Sequence, residues 1–93
     1  MNPEPLVRAI VAAMMLMEEC GPEEIDPDTA VRGLENMGYE ILQLSRDDRG
    51  ELLELIERMA RDSDSHTADF LRALPFSIGM VDGLPPESGG EAD

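Results

Sequence analysis

Acidic side chains concentrate in one short segment of this 93-residue chain. The segment 18–30 reads EECGPEEIDPDTA and holds six carboxylates, at Glu18, Glu19, Glu23, Glu24, Asp26 and Asp28. Clustered carboxylates suit three different roles: they ligate hard divalent cations, they attract a basic partner, and they stabilise the amino-terminal ends of helices. The sequence has to be tested against each role.

A calcium-binding loop requires oxygen ligands at its first, third and fifth positions, then glycine, and glutamate at its last position. With Asp26 at the first position, the fifth is Ala30, the glycine position is Val31 and the last is Met37. The motif is absent. A looser carboxylate site for a divalent metal stays an alternative, but we assign no metal ligands and expect no cofactor.

Cys20 and His66 are the only cysteine and the only histidine of the chain. A thiol nucleophile needs an imidazole within hydrogen-bonding distance and a third group to orient it, and nothing in the spacing of these two residues indicates that arrangement. A single cysteine also excludes an intramolecular disulfide and a cysteine-based zinc site. We therefore expect no catalytic residues and no enzymatic activity.

The net charge of −14 restricts the classes of partner. Nucleic-acid phosphates and anionic membrane surfaces are bound by cationic side chains, which are few here, so neither partner is expected. The apolar run 9–17 is about half as long as the ~20 residues of a membrane-spanning helix, and its acidic and proline-rich flanks do not fit a secretory signal. These features favour a cytoplasmic protein.

Helices are predicted around these residues from apolar periodicity and from capping signals. The first covers about 3–20, with Asn2 as its cap and Gly21 as a left-handed residue after its end. The second runs from Pro27 to about Leu44 and the third from its cap, Ser45, to Arg61. A short fourth helix begins with Ser65 as its cap and ends at Pro75, which leaves the structure of 75–82 undecided.

Together these elements predict an all-α fold, a compact bundle of four or five short helices around a central, apolar N-terminal helix. Residues 1–82 are expected to form a single helical domain. Residues 83–93, rich in proline, glycine and acid, are expected to form a flexible acidic C-terminal tail.

The leading functional hypothesis is a non-enzymatic acidic module that binds a basic partner protein, as bacterial inhibitors and immunity proteins do. Its predicted partner-binding residues are the six carboxylates above together with a row on the third helix, Asp47, Glu51 and Glu54. The main alternative is a homodimeric structural protein that pairs through one line of the first helix: Arg8, Ala12, Met15 and Glu19.

Overall fold

The computed structural model describes residues 1–83, and across them the chain is all-helical, with no β-strand. The four helices are α1 (Glu4–Glu19), α2 (Pro27–Ile41), α3 (Arg46–Arg61) and α4 (Ser65–Ser77). The predicted all-α class with four helices is confirmed, and no fifth helix is present in this part of the chain. The predicted flexible tail lies, beyond Gly83, outside the described residues.

The chain divides into two compact units, Met1–Glu40 and Ile41–Asp93. The first contains α1 and all but the last residue of α2, and the second contains α3 and α4. The single domain over 1–82 and the central position of the first helix stay predictions.

In the first unit, α1 begins after Pro3, and the Glu4 N–H donates to Asn2 Oδ1 at 3.1 Å. Asn2 is thus a capping residue, as predicted, although Pro3 occupies the N-cap position itself. Arg8 Nη2 donates to Glu4 Oε2 at 2.6 Å, an i,i+4 pair on the surface of the first turns. The buried side chains of α1 are Val11 and Met14.

Close packing between α1 and α2 occurs at Gly33. A Cβ atom added there would lie 2.8 Å from Met17 Sδ, closer than real Cβ atoms approach. Glycine at this position therefore lets the Met17 side chain of α1 lie against the backbone of α2. Gly38 is the buried residue of α2.

In the second unit, α3 and α4 pack against each other. They bury two apolar faces, Leu55, Ile56, Met59 and Ala60 from α3 with Ala68, Leu71, Leu74 and Pro75 from α4. Both faces follow the three- and four-residue spacing of amphipathic helices. Burial of this apolar surface is the main favourable contribution to the stability of the unit.

The start of each helix in this unit is capped by a side chain. Ser45 Oγ accepts a hydrogen bond from the Asp48 N–H at 3.1 Å, which confirms the predicted cap of α3. The cap of α4 is Asp64 rather than the predicted Ser65: its Oδ1 accepts from the Thr67 N–H at 2.8 Å. Arg49 donates to the Leu42 and Leu44 carbonyls, which precede α3.

The end of α4 differs from the prediction. Pro75 lies inside the helix and is buried, and the helix continues to Ser77. Proline removes only its own N–H donor, and the Ile78 N–H still reaches the Leu74 carbonyl at 3.1 Å. Gly79 ends the helix instead, with φ at +85°, while the N–H groups of Met80 and Gly79 donate to the Pro75 and Phe76 carbonyls. This is a Schellman motif.

Candidate acidic interface

The acidic segment is built on a tight turn between α1 and α2. Cys20, in extended conformation, ends α1, and the Gly21 carbonyl then accepts from the N–H groups of Glu24 at 3.0 Å and Ile25 at 3.1 Å. The predicted left-handed conformation at Gly21 is wrong, since the described glycines with positive φ are Gly79 and Gly83. The extended Cys20 redirects the chain instead.

Two of the six carboxylates have a structural explanation. Asp26 Oδ2 accepts hydrogen bonds from the Thr29 N–H at 3.1 Å and the Thr29 hydroxyl at 3.2 Å, so Asp26 caps α2. Asp28 lies in the first turn of α2. Negative charge is favourable there because it faces the positive end of the helix dipole. Helix capping accounts for these two residues without any partner.

Glu18 and Glu19 lie at the opposite, unfavourable end of a helix. They are the last two residues of α1, which has no basic side chain in its last turn. Both are exposed. Because the carboxyl end of a helix carries partial negative charge, acidic residues there destabilise the helix rather than stabilise it. The helix dipole therefore does not explain their presence, as it does for Asp28.

Glu23 and Glu24 are exposed on the turn, and Glu24 lies beside the half-buried thiol of Cys20. Desolvation raises the pKa of Cys20 above its ordinary value of 9.0, and the negative charge of Glu24, a hydrogen bond to Glu24 and the charge of Glu19 raise it further. A thiol with a raised pKa is protonated at neutral pH, which is unfavourable for a nucleophile. His66, for its part, is exposed near the start of α4 in the second unit.

The charged side chains of the segment 18–30 are all acidic. All six carboxylates are exposed, and the sequence contains no arginine or lysine between Arg8 and Arg32. Within residues 1–83, no group of three His, Cys, Asp or Glu side chains is arranged to hold a metal ion. The metal-binding alternative therefore finds no support in the described part of the chain.

The predicted row on α3 belongs to the second unit. Asp47, Glu51 and Glu54 are exposed, on the side of α3 away from its buried residues. Asp47 lies in the first turn, where it is favourable to the helix. Glu57 of the same helix was not predicted as a site residue, and it is engaged by Arg72 Nη2 at 3.2 Å and Arg61 Nε at 3.5 Å.

The predicted dimer line on α1 is exposed at Arg8, Ala12 and Glu19, whereas Met15 is half-buried. The large apolar side chains most exposed on this helix are others: Leu6, Ile10 and Leu16. Sequence reasoning missed Ile10 and Leu16 because the nine consecutive apolar residues 9–17 contain no periodicity that separates an inner from an outer side. None of the helices of residues 1–83 has the length and hydrophobicity of a membrane span.

Comparisons with known proteins identify no relative: no protein-family model, no curated protein and no solved structure matches this chain.

Proposed function

We propose that this protein is a non-enzymatic interaction module whose acidic α1–α2 turn binds a basic partner protein in the cytoplasm, in the manner of an inhibitor or an immunity protein. The observation that supports the proposal most directly is the placement of Glu18 and Glu19. They are exposed at the carboxyl end of α1, where they disfavour the helix. Residues that oppose local stability are typical of functional surfaces.

The four glutamates of the turn provide the chemistry of recognition. Glu18, Glu19, Glu23 and Glu24 carry negative charge over a short stretch that contains no cation. Such a surface attracts arginine and lysine side chains and accelerates encounter with a positively charged protein. Asp47, Glu51 and Glu54 on α3 form a second acidic surface for the same kind of partner.

The test compares two variants that lose the same number of charges. In the turn variant, Glu18, Glu19, Glu23 and Glu24 are replaced by Gln. In the control, four exposed acids elsewhere are replaced by their amides: Glu35→Gln, Glu40→Gln, Asp62→Asn and Asp82→Asn. Each protein is immobilised, extracts of the native cells are passed over it, and bound proteins are identified by mass spectrometry.

We expect the wild type and the control to retain a protein of positive net charge at low ionic strength and to release it at about 0.5 M salt, where charges are screened within a few ångströms. The turn variant should not retain it. If no basic protein is retained, the proposal fails. Equal loss in both variants would mean that total charge, not the turn, attracts the partner.

A further inference from the structure

Helix α1 carries an exposed apolar seam along its length. Leu6, Ala9, Ala13, Leu16 and Cys20 follow one another at intervals of three, four, three and four residues. This is the spacing of the core positions of a coiled coil. Leu6 is 53% exposed and Leu16 62%, Ala9 is exposed, and Ala13 and Cys20 are half-buried.

The seam is distinct from the buried side of the helix. At about 100° of rotation per residue, Val11 and Met14 point well away from the line through Ala13 and Leu16. Val11 is 5% exposed and Met14 1%, so the fully buried side chains of α1 lie on their side. One apolar side of α1 is therefore buried and a second, of coiled-coil spacing, faces solvent.

We propose that a second copy of this chain covers the seam, in an antiparallel α1–α1 pair related by a twofold axis near Ala13. In this arrangement, residues whose numbers add to about 26 lie at the same height along the pair, from the rise of the helix. Leu6 then faces the partner's Cys20, and Leu16 packs beside the partner's Ala9. Each large side chain meets a small one, as ridges fit grooves in packed helices.

Charges on the flank of the seam favour the antiparallel direction. Arg8 and Glu19 lie on one side of α1, eleven residues apart, which is about 16 Å along the axis. An antiparallel twofold places each Arg8 on the same edge of the pair and at about the same height as the partner's Glu19, whereas in a parallel twofold pair the two charged sides lie on opposite edges and do not meet. Arg8 also donates to Glu4 within its own helix, and its guanidinium keeps further N–H donors for a second carboxylate.

This self-complementarity indicates that the partner covering the seam of α1 is a second copy of the same chain. A surface that is complementary to itself in size and in charge fits the isologous contact of a twofold dimer. The inference is independent of the acidic-turn proposal, because it concerns the purified chain alone and can fail or succeed without any basic partner.

The test measures association of the full chain by sedimentation equilibrium across micromolar concentrations. We expect a reversible dimer for the wild type and a monomer for Leu16→Glu. Val31→Glu is the matched control: Val31, on α2, is 53% exposed and receives the same charge, yet lies outside the seam. It should leave the dimer intact. Circular dichroism of both variants checks that the helices are retained.

Disulfide trapping tests the direction of the pair. In the antiparallel dimer the two Cys20 residues are about 21 Å apart along the axis, beyond the roughly 7 Å that a disulfide spans between Cα atoms. Oxidised wild type should therefore contain no covalent dimer, whereas Leu6→Cys should be cross-linked to the partner's Cys20. A wild type that is monomeric throughout, or a dimer linked through Cys20 to Cys20, would overturn the proposal.

Discussion

At the scale of single residues, replacing glycine by alanine should change the stability of the protein in opposite directions at Gly50 and Gly79. Gly50 lies inside α3 with nothing within 4 Å of an added Cβ, so Gly50→Ala should stabilise the protein by about 1 kcal/mol through helix propensity. Gly79 also has open space, but its φ of +85° is unfavourable for alanine. Gly79→Ala should destabilise by about 1–2 kcal/mol.

Urea denaturation followed by circular dichroism measures both changes as shifts of the unfolding midpoint. The pair is its own control, because each variant adds the same methyl group at a site without steric conflict. Midpoints that move in the same direction would contradict the helix end at Gly79. Gly33→Ala is less informative, since the gain in propensity is offset by displacement of the Met17 side chain.

Glu57 provides a prediction on pH dependence. A hydrogen bond from Arg72 is the largest cause that lowers the pKa of Glu57 below its ordinary value of 4.5, with the charge of Arg72 and a hydrogen bond from Arg61 as further causes. A carboxylate with a lowered folded-state pKa contributes stability above its unfolded pKa, and loses that contribution as the pH falls through the folded value. Glu57 therefore stabilises the α3–α4 contact at neutral pH but not in strong acid.

Nuclear magnetic resonance titration of Glu57 checks this assignment. Arg72→Ala should raise the Glu57 pKa towards its ordinary value, because the largest cause of the shift is removed. Arg46→Ala, which removes an equal charge from the start of α3, should leave it unchanged. A Glu57 pKa that does not respond to Arg72→Ala would show that the inter-helix pair does not form.

At the scale of helices, the sequence predicts a helix start correctly where the capping residue and the backbone group that it binds lie within a few residues of each other. Ser45 was identified as the cap of α3 because a capping side chain and the N–H that it binds are three residues apart. The sequence misplaces the end of α4 because proline usually breaks a helix, whereas the Ile78 N–H after Pro75 keeps its acceptor, the Leu74 carbonyl. Gly79 was the sequence signal that could have located it.

The two serines at helix starts test whether the observed caps stabilise their helices. Ser45→Ala should cost about 1 kcal/mol, because the Asp48 N–H loses its acceptor. Ser65→Ala should be nearly neutral, because Asp64, not Ser65, accepts from the Thr67 N–H. Thermal denaturation of both variants measures the difference. A greater loss for Ser65→Ala would place the cap where the sequence alone put it.

The acidic turn could be located from the sequence, but the sequence did not show which of its carboxylates lie at favourable and which at unfavourable helix ends. Composition and spacing identify six carboxylates without stating which of them the local backbone favours. The structure separates Asp26, which caps α2, from Glu18 and Glu19, which lie at the disfavoured end of α1. The exposed seam of α1 could not be predicted from the sequence either, because an unbroken apolar run does not indicate which side of the helix faces solvent.

At the scale of the whole molecule, the net charge of −14 predicts opposite salt responses for the two proposed interactions. Attraction between the acidic turn and a basic partner is electrostatic, so its association rate should fall about tenfold or more as salt rises from roughly 50 to 500 mM. Two copies of this chain repel each other, whereas the seam between them is apolar. Screening should therefore leave the dimer unchanged or strengthen it.

Two measurements at both salt concentrations separate these responses. Sedimentation equilibrium of the purified chain follows the dimer. Surface plasmon resonance measures the association rate of the basic protein once that protein has been captured. Sodium chloride is the appropriate salt, because sulfate strengthens apolar burial directly and would obscure the screening effect. A dimer that dissociates as salt rises would mean that the Arg8–Glu19 contacts, not the leucines, hold the pair together. The apolar seam would then contribute little to the affinity of the pair.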